Sequence, residues 1–282
     1  MKINIMLCLL LTVCLTSAGQ RSRNYQDLRE ALAHPDSVQW LTLREKGLAD
    51  FPDAILQFKN LKYLDLSHNR IEHLPENIGW LLPRLTYVDL SGNQLDRLPA
   101  SFANLHELRN LYIDDNRKLN LEADFEVLSA LPGLQVLDLS GDSINTLPPS
   151  VGKLSSLRYL ELSYNQIAVL PPEFTQLKNL EVLSVNGDTH FDLRQNIPLL
   201  SRLPKLRELH LEGDRFTEIP PGIRSLTGLE ALYLNNNELS VIPEGVKDMK
   251  NLRLLDLSNN PVPHIQGMLM DDNLAPRIVI KL

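Results

Sequence analysis

Residues 157–171 read Leu-Arg-Tyr-Leu-Glu-Leu-Ser-Tyr-Asn-Gln-Ile-Ala-Val-Leu-Pro, and the same spacing returns along most of the chain. Leu160 and Leu162 alternate with polar residues at period two, so both face one side of a short strand. Three residues further stands Asn165, followed by Ile167 and the pair Leu170-Pro171. Read for the first six positions, L-x-x-L-x-L, units begin at Val38, Leu61, Leu85, Leu108, Leu134, Leu157, Leu180, Leu206, Leu229 and Leu252. The intervals are 23, 24, 23, 26, 23, 23, 26, 23 and 23 residues. A length of 282 residues would otherwise suggest two domains, but a repeat this regular makes one structural unit used ten times. The 59 leucines and only 6% aromatics agree, since a compact core mixes leucine with other apolar residues.

Each feature has a physical reason. The ninth position of each unit is Asn69, Asn93, Asn116, Asp142, Asn165, Asp188, Asp214, Asn237 or Asn260, with Lys46 the exception. A sharp turn after the strand strands backbone groups, and an asparagine side chain carries both a donor and an acceptor for them. Aspartate supplies only acceptors, which predicts weaker turns at Asp142, Asp188 and Asp214. Proline in Leu74-Pro75, Leu98-Pro99, Leu147-Pro148, Leu170-Pro171, Ile219-Pro220 and Ile242-Pro243 favours an extended return. Ile78 and Leu105 then close the coil from its outer side. A single coil cannot bury its own leucines and must stack on neighbours.

The pattern L-x-x-L-x-L-x-x-N-x-L-x-x-L-P resembles the leucine-rich repeat family over about Val38 to Ile265. The resemblance implies an α/β solenoid: a curved horseshoe of about ten repeats with a parallel β-sheet on its concave face. It also implies non-enzymatic binding of proteins or peptides on that face. The Leu-Pro form is similar to bacterial repeat proteins and Ras-associated scaffolds.

The organisation reads as a signal peptide over residues 1–19, an N-terminal cap over 20–37, repeats over 38–265 and a C-terminal cap over 266–282. Ile5 to Leu15 is apolar but too short to span a bilayer, and small residues follow it. A buried N-terminal helix, or a lipoprotein signal ending at Cys14, are the alternatives. Cleavage would remove Cys8, Cys14 and Lys2, taking the net charge from −7 to −8 and leaving no cysteine. With no Asn-x-Ser/Thr site, this suggests a secreted, periplasmic or cell-envelope bacterial protein. Beyond the first residues no apolar stretch is long enough for a membrane helix. Asn24 is a candidate N-cap for a helix to about His34, and Arg277–Leu282 alternates like a closing strand above Met268 and Met270. The two 26-residue units, four and seven, lack the apolar-Pro pair. Their apolar residues Phe125, Leu128, Leu131 and Ile197, Leu200, Leu203 suit short outer helices.

Charged residues at 22% and hydrophobics at 43% exclude a disordered chain, and the acidic balance disfavours nucleic acid as partner. The seven histidines form no ligand motif, so neither metal nor cofactor is expected, and nothing marks a catalytic nucleophile. Positions 3, 5 and 7 of each unit are expected on the concave face. They carry Trp40, Tyr63, Tyr87 and Tyr159, the carboxylates Asp65, Asp89, Asp138, Glu161, Asp256, Glu208, Asp114 and Glu212, and Arg44 as the one certain cation. Asp65 with Asp89, and Asp138 with Glu161, should sit side by side on adjacent strands. Tyr112, Asp114, His210, Glu212 and Tyr233 depart from the recurrent Asp-x-Ser pattern and are the sharper candidates. The binding face is therefore read as acidic and aromatic, spanning Trp40, Tyr63, Asp65, Tyr87, Asp89, Tyr112, Asp114, Tyr159, Glu161, His210, Glu212 and Tyr233, with a basic protein or peptide as partner. A saccharide stacking on the same rings, as in an accessory subunit of an envelope enzyme assembly, or an adhesion or structural role through the outer face, are the competing readings.

Overall fold

The computed structural model describes residues 23–261 and 278–282. The expected signal peptide, Met268 and Met270 lie outside them. Twelve parallel strands form one sheet in chain order, from β1 (Asn24–Tyr25) and β2 (Trp40–Thr42) to β11 (Leu254–Asp256) and β12 (Val279–Lys281). Equal positions of neighbouring units are in register, as in Trp40 beside Tyr63 and Asp65 beside Asp89. The L-x-L spacing dictates this, because both leucines point into one continuous core.

After each strand the chain turns through a left-handed residue at position 8: Glu45, His68, Gly92, Asp115, Gly141, Tyr164, Gly187, Gly213, Asn236 and Asn259 all have φ between 54° and 75°. The ninth residue then braces the turn. Asn165 donates from Nδ2 to the carbonyls of Leu139 (3.0 Å) and Leu162 (2.7 Å). Its Oδ1 accepts from the amides of Asp142 (3.1 Å) and Ile144 (3.0 Å). Asn69 and Asn237 do the same in their own units. At Asp142 and Asp214 one oxygen accepts a single amide, from Asn116 (2.5 Å) and Asp188 (2.7 Å). The other oxygen of each, and one of Asp188, is buried without a partner. Burial pushes the carboxyls of Asp142 and Asp214 up to about 8 and that of Asp188 upward. These turns have fewer hydrogen bonds than the asparagine turns, and burial favours the protonated carboxyl. Protonation gives such a carboxyl an O–H donor that the ionised form lacks.

Proline begins the return. Pro52, Pro99, Pro148, Pro171, Pro220 and Pro243 are extended and immediately precede short 3-10 turns. The two long units carry true helices instead: α3 (Leu121–Ser129) and α4 (Leu193–Leu200), following α1 (Leu28–Leu32) and α2 (Ile78–Leu81) in chain order. The apolar residues expected to face inward from them are buried. Each long helix also reaches back to the preceding unit. Asp124 accepts from the amide of Leu98 (2.7 Å) and Asn196 from that of Leu170 (2.8 Å).

The N-terminal cap differs from its sequence reading. Asn24 does not cap a helix; it begins β1, which pairs with β2. The helix is shorter, Leu28–Leu32, and its N-cap is Asp27, whose carboxylate accepts from the Glu30 amide at 3.0 Å. Pairing β1 with the first repeat strand covers more backbone than a helix would, and it buries Tyr25 against the core. At the other end β12 pairs with β11 and closes the sheet.

Candidate functional site

The strands bring the expected aromatics together more tightly than exposure of the sheet would suggest. Trp40, Tyr63, Tyr87 and Tyr112 form one continuous stack, with centroids 5.2, 4.2 and 5.1 Å apart. The stack changes column at its end. Asn110, at position 3 of the next strand, is smaller than a ring and leaves room for Tyr112 to lean from position 5. Tyr112 is consequently only 5% exposed, which corrects its reading as an exposed anchor. Burial and the nearby aspartates hold the Tyr63, Tyr87 and Tyr112 hydroxyls well above their ordinary range, so all three remain neutral donors. Tyr159 stands outside the stack and donates from its hydroxyl to Glu161 (3.3 Å).

The carboxylates divide into two groups. In units two to six, Asp65 accepts from the Ser67 amide (2.9 Å) and hydroxyl (2.7 Å), and Asp89 does the same with Ser91. Asp138 takes the amide of Ser140, and Glu161 takes both groups of Ser163. This clip gives a structural reason for the recurrent Asp-x-Ser pattern. It supplies no countercharge. Among the described residues Asp65, Asp89, Asp138 and Glu161 make no ion pair with lysine or arginine. Burial, against the opposing serine bonds, raises Asp89 to about 6, with Asp65 and Asp114 adding to the rise. Burial and the charges of Asp114 and Glu161 push Asp138 well above the carboxylate range.

Units eight to ten behave differently. His210 is 5% exposed and stacks on Tyr233 at 4.1 Å. Burial opposes its charge, but Glu208 (3.8 Å) and Glu212 (3.3 Å) flank the ring and lift it to about 9. Lys281 of β12 sits 3.4 Å from Asp256. Arg44 is therefore not the only cation on this face: His210 is charged at neutral pH and commits Glu212, while Lys281 covers Asp256. Tyr233 is half-buried beneath the imidazole. Among the described residues, the position-5 carboxylates of units two to six that lack a lysine or arginine ion pair are Asp65, Asp89, Asp138 and Glu161, and the structure buries Asp65 as well as Asp114, which corrects the reading of both as exposed.

Two residues escaped the sequence reading. Trp80 is 66% exposed on the convex side, and Tyr164, at a left-handed position, is 61% exposed. The 24-residue length of unit two marks the first. The second carries no sequence signal beyond its place after the strand. Among the described residues no cluster of metal-ligating side chains and no membrane-spanning helix is found.

The family model for leucine rich repeats matches residues 36–95, 132–191 and 204–262. The chain belongs to the leucine-rich repeat family, whose members generally act as protein-binding scaffolds and are typically non-enzymatic. A search of curated proteins found no match. Among solved structures it is similar to internalin C2 from Listeria monocytogenes, with 26% identity and a TM-score of 0.59, covering 72% of this chain and 84% of that one. The leucine-rich repeat domain of the type III effector XopL is also 26% identical, with a TM-score of 0.54, covering 91% and 79%. TLR13, solved as a complex with ssRNA13, shares the fold at 20% identity and a TM-score of 0.58, covering 87% of this chain and 44% of that one.

Proposed function

We propose that the chain is an exported, non-enzymatic scaffold that binds a basic protein or peptide segment on units two to six of its concave sheet. The observation that carries this reading is two carboxylate pairs, Asp65 beside Asp89 and Asp138 beside Glu161, separated by Tyr112 and held by serine clips without a lysine or arginine ion pair. Like charges on neighbouring strands repel. A lysine or arginine side chain laid across them would relieve that repulsion and favour the ionised form of Asp138. The hydroxyls beside these pairs supply neutral hydrogen-bond donors. The same carboxylates would repel phosphate, which disfavours nucleic acid. Export rests on residues 1–19 alone, and N-terminal sequencing of the secreted protein tests it.

Saccharide stacking on the concave rings is the weaker reading. The rings of Trp40, Tyr63, Tyr87 and Tyr112 lie against one another, so Tyr63 and Tyr87 are covered on both sides and Tyr112 is buried. The decisive experiment is titration with lysine- and arginine-bearing peptides against neutral peptides of equal length. Basic peptides should bind more tightly, and salt should weaken them. Asp65→Asn combined with Glu161→Gln should abolish the preference. An equal charge change on the convex side, Glu122→Gln with Glu244→Gln, should leave it. Equal losses from both pairs would reduce the effect to net charge and reject the site.

A further inference from the structure

Unit two is one residue longer than the standard unit, and the extra residue falls just after Gly79. Where the standard units make a 3-10 turn, unit two makes the α-helical turn α2. Gly79 holds that turn against unit three. A Cβ on it would lie 1.7 Å from the Ser101 carbonyl oxygen, so only glycine permits the approach. The Gly79 amide donates to the Ser101 hydroxyl at 3.2 Å. The next residue, Trp80, is thereby turned outward over Ala100, Ser101 and Asn104, and it is the most exposed large apolar side chain among the described residues. With Glu76 and Asn77 these residues line an open cleft of about 450 Å³.

The chemistry of the rim is specific. Glu76 is paired with Arg97 at 2.6 Å, so its charge is cancelled. Asn77 occupies the N-cap of α2, yet its side chain makes no capping bond. Asn104 donates to the Ser101 carbonyl at 3.0 Å and keeps its own amide oxygen for another donor. An uncovered indole face beside two amides, with no net charge, suits a ligand that is neutral, rich in hydroxyls and apolar on one face. A pyranose ring has these properties. A charged ligand finds only the balanced Glu76–Arg97 pair, and a purely apolar one would leave the amides unpaired.

We propose that this convex cleft is a saccharide-binding site, with the Trp80 ring as platform and Asn77 and Asn104 as hydrogen-bonding partners. It is separate from the concave acidic pairs and works on a different principle. Oligosaccharides of glucose, galactose, mannose and N-acetylglucosamine, each immobilised, serve as probes for the whole chain. At least one should retain the protein and quench its tryptophan emission. High salt should change the retention little, whereas peptide binding to the acidic pairs should fall. Trp80→Ala should weaken retention about tenfold or more and remove the quenching. Asn104→Ala should weaken it less. Tyr164→Ala, which removes the other exposed ring, should leave it unchanged. Because the Trp80 side chain is largely in solvent, its melting temperature should stay close to wild type, so loss of binding cannot be laid to unfolding. Failure of all four saccharides to bind, or retention indifferent to Trp80→Ala, would overturn the assignment.

Discussion

Aspartate meets opposite fates in the interior turns and on the concave sheet. In the turns, Asp142 and Asp214 each leave one buried oxygen without a partner, and burial favours the protonated carboxyl. On the sheet, Glu208 and Glu212 flank the buried ring of His210 and lift its value to about 9. Burial raises Asp89 and Asp138 as well, but each accepts hydrogen bonds from serine and is only partly buried. A buried acid with an unpartnered oxygen is structural and neutral. One beside a cation is structural as well. Only one left with partial shelter and no cation stays available to a partner.

The turn aspartates give the largest expected effect. Their folded pKa of about 8 exceeds the ordinary value of 3.8. Between these values the unfolded chain has released the proton and the folded chain has not. Stability from these groups is therefore full below pH 4 and lost as pH rises towards 8. Asp142→Asn and Asp214→Asn should each stabilise the protein by roughly 2–4 kcal/mol at pH 8, because the amide supplies the missing donor permanently. At pH 4 the gain should shrink towards zero. Urea denaturation at the two pH values measures it. A gain independent of pH would mean that these acids are ionised, and the contrast with the sheet would collapse.

His210 comes next. Its folded value of about 9 lies above the ordinary 6.5. Its contribution is thus complete below pH 6.5 and lost as pH climbs through 9. His210→Ala should cost about 2–3 kcal/mol at pH 6, since it removes a buried cation and leaves Glu208 and Glu212 facing each other. The difference from wild type should narrow at pH 10. NMR titration of the imidazole checks the cause directly, and a midpoint near 6.5 would show that the flanking glutamates do not hold the proton.

The fold was legible because leucine spacing, asparagine in the turns and proline after them are local signals. The site was less so, and particular residues show why. Asp65 beside Asp89, and Asp138 beside Glu161, could be placed from register alone. The burial of Tyr112 could not, because it depends on the small Asn110 two residues earlier and on Tyr87 in the preceding unit. The glutamates around His210 were readable in the spacing Glu208-x-His210-x-Glu212, which puts all three on one face. Their effect on its charge needed the depth at which the ring lies. Trp80 was visible as a length anomaly, but its outward aim follows from a helical turn pressed onto unit three through Gly79.

The smallest effect, on Asp89, separates binding from structure. Its folded value of about 6 exceeds 3.8, so its ionisation costs stability as pH rises from 4 to 6. At pH 7 the charged side chain opposes folding, and Asp89→Asn removes that burden while weakening the bonds that Ser91 gives to the carboxylate. The two changes partly cancel, and a net gain of about 1 kcal/mol is expected in the unliganded protein. Affinity for a basic peptide should move the other way, falling by about 1 kcal/mol and losing part of its salt dependence. Opposite signs in melting temperature and affinity would mark a carboxylate kept for its partner at the expense of the fold. A variant that loses stability and affinity together would show that Asp89 serves the Ser91 clip, and the acidic pairs would then belong with the turns as structure.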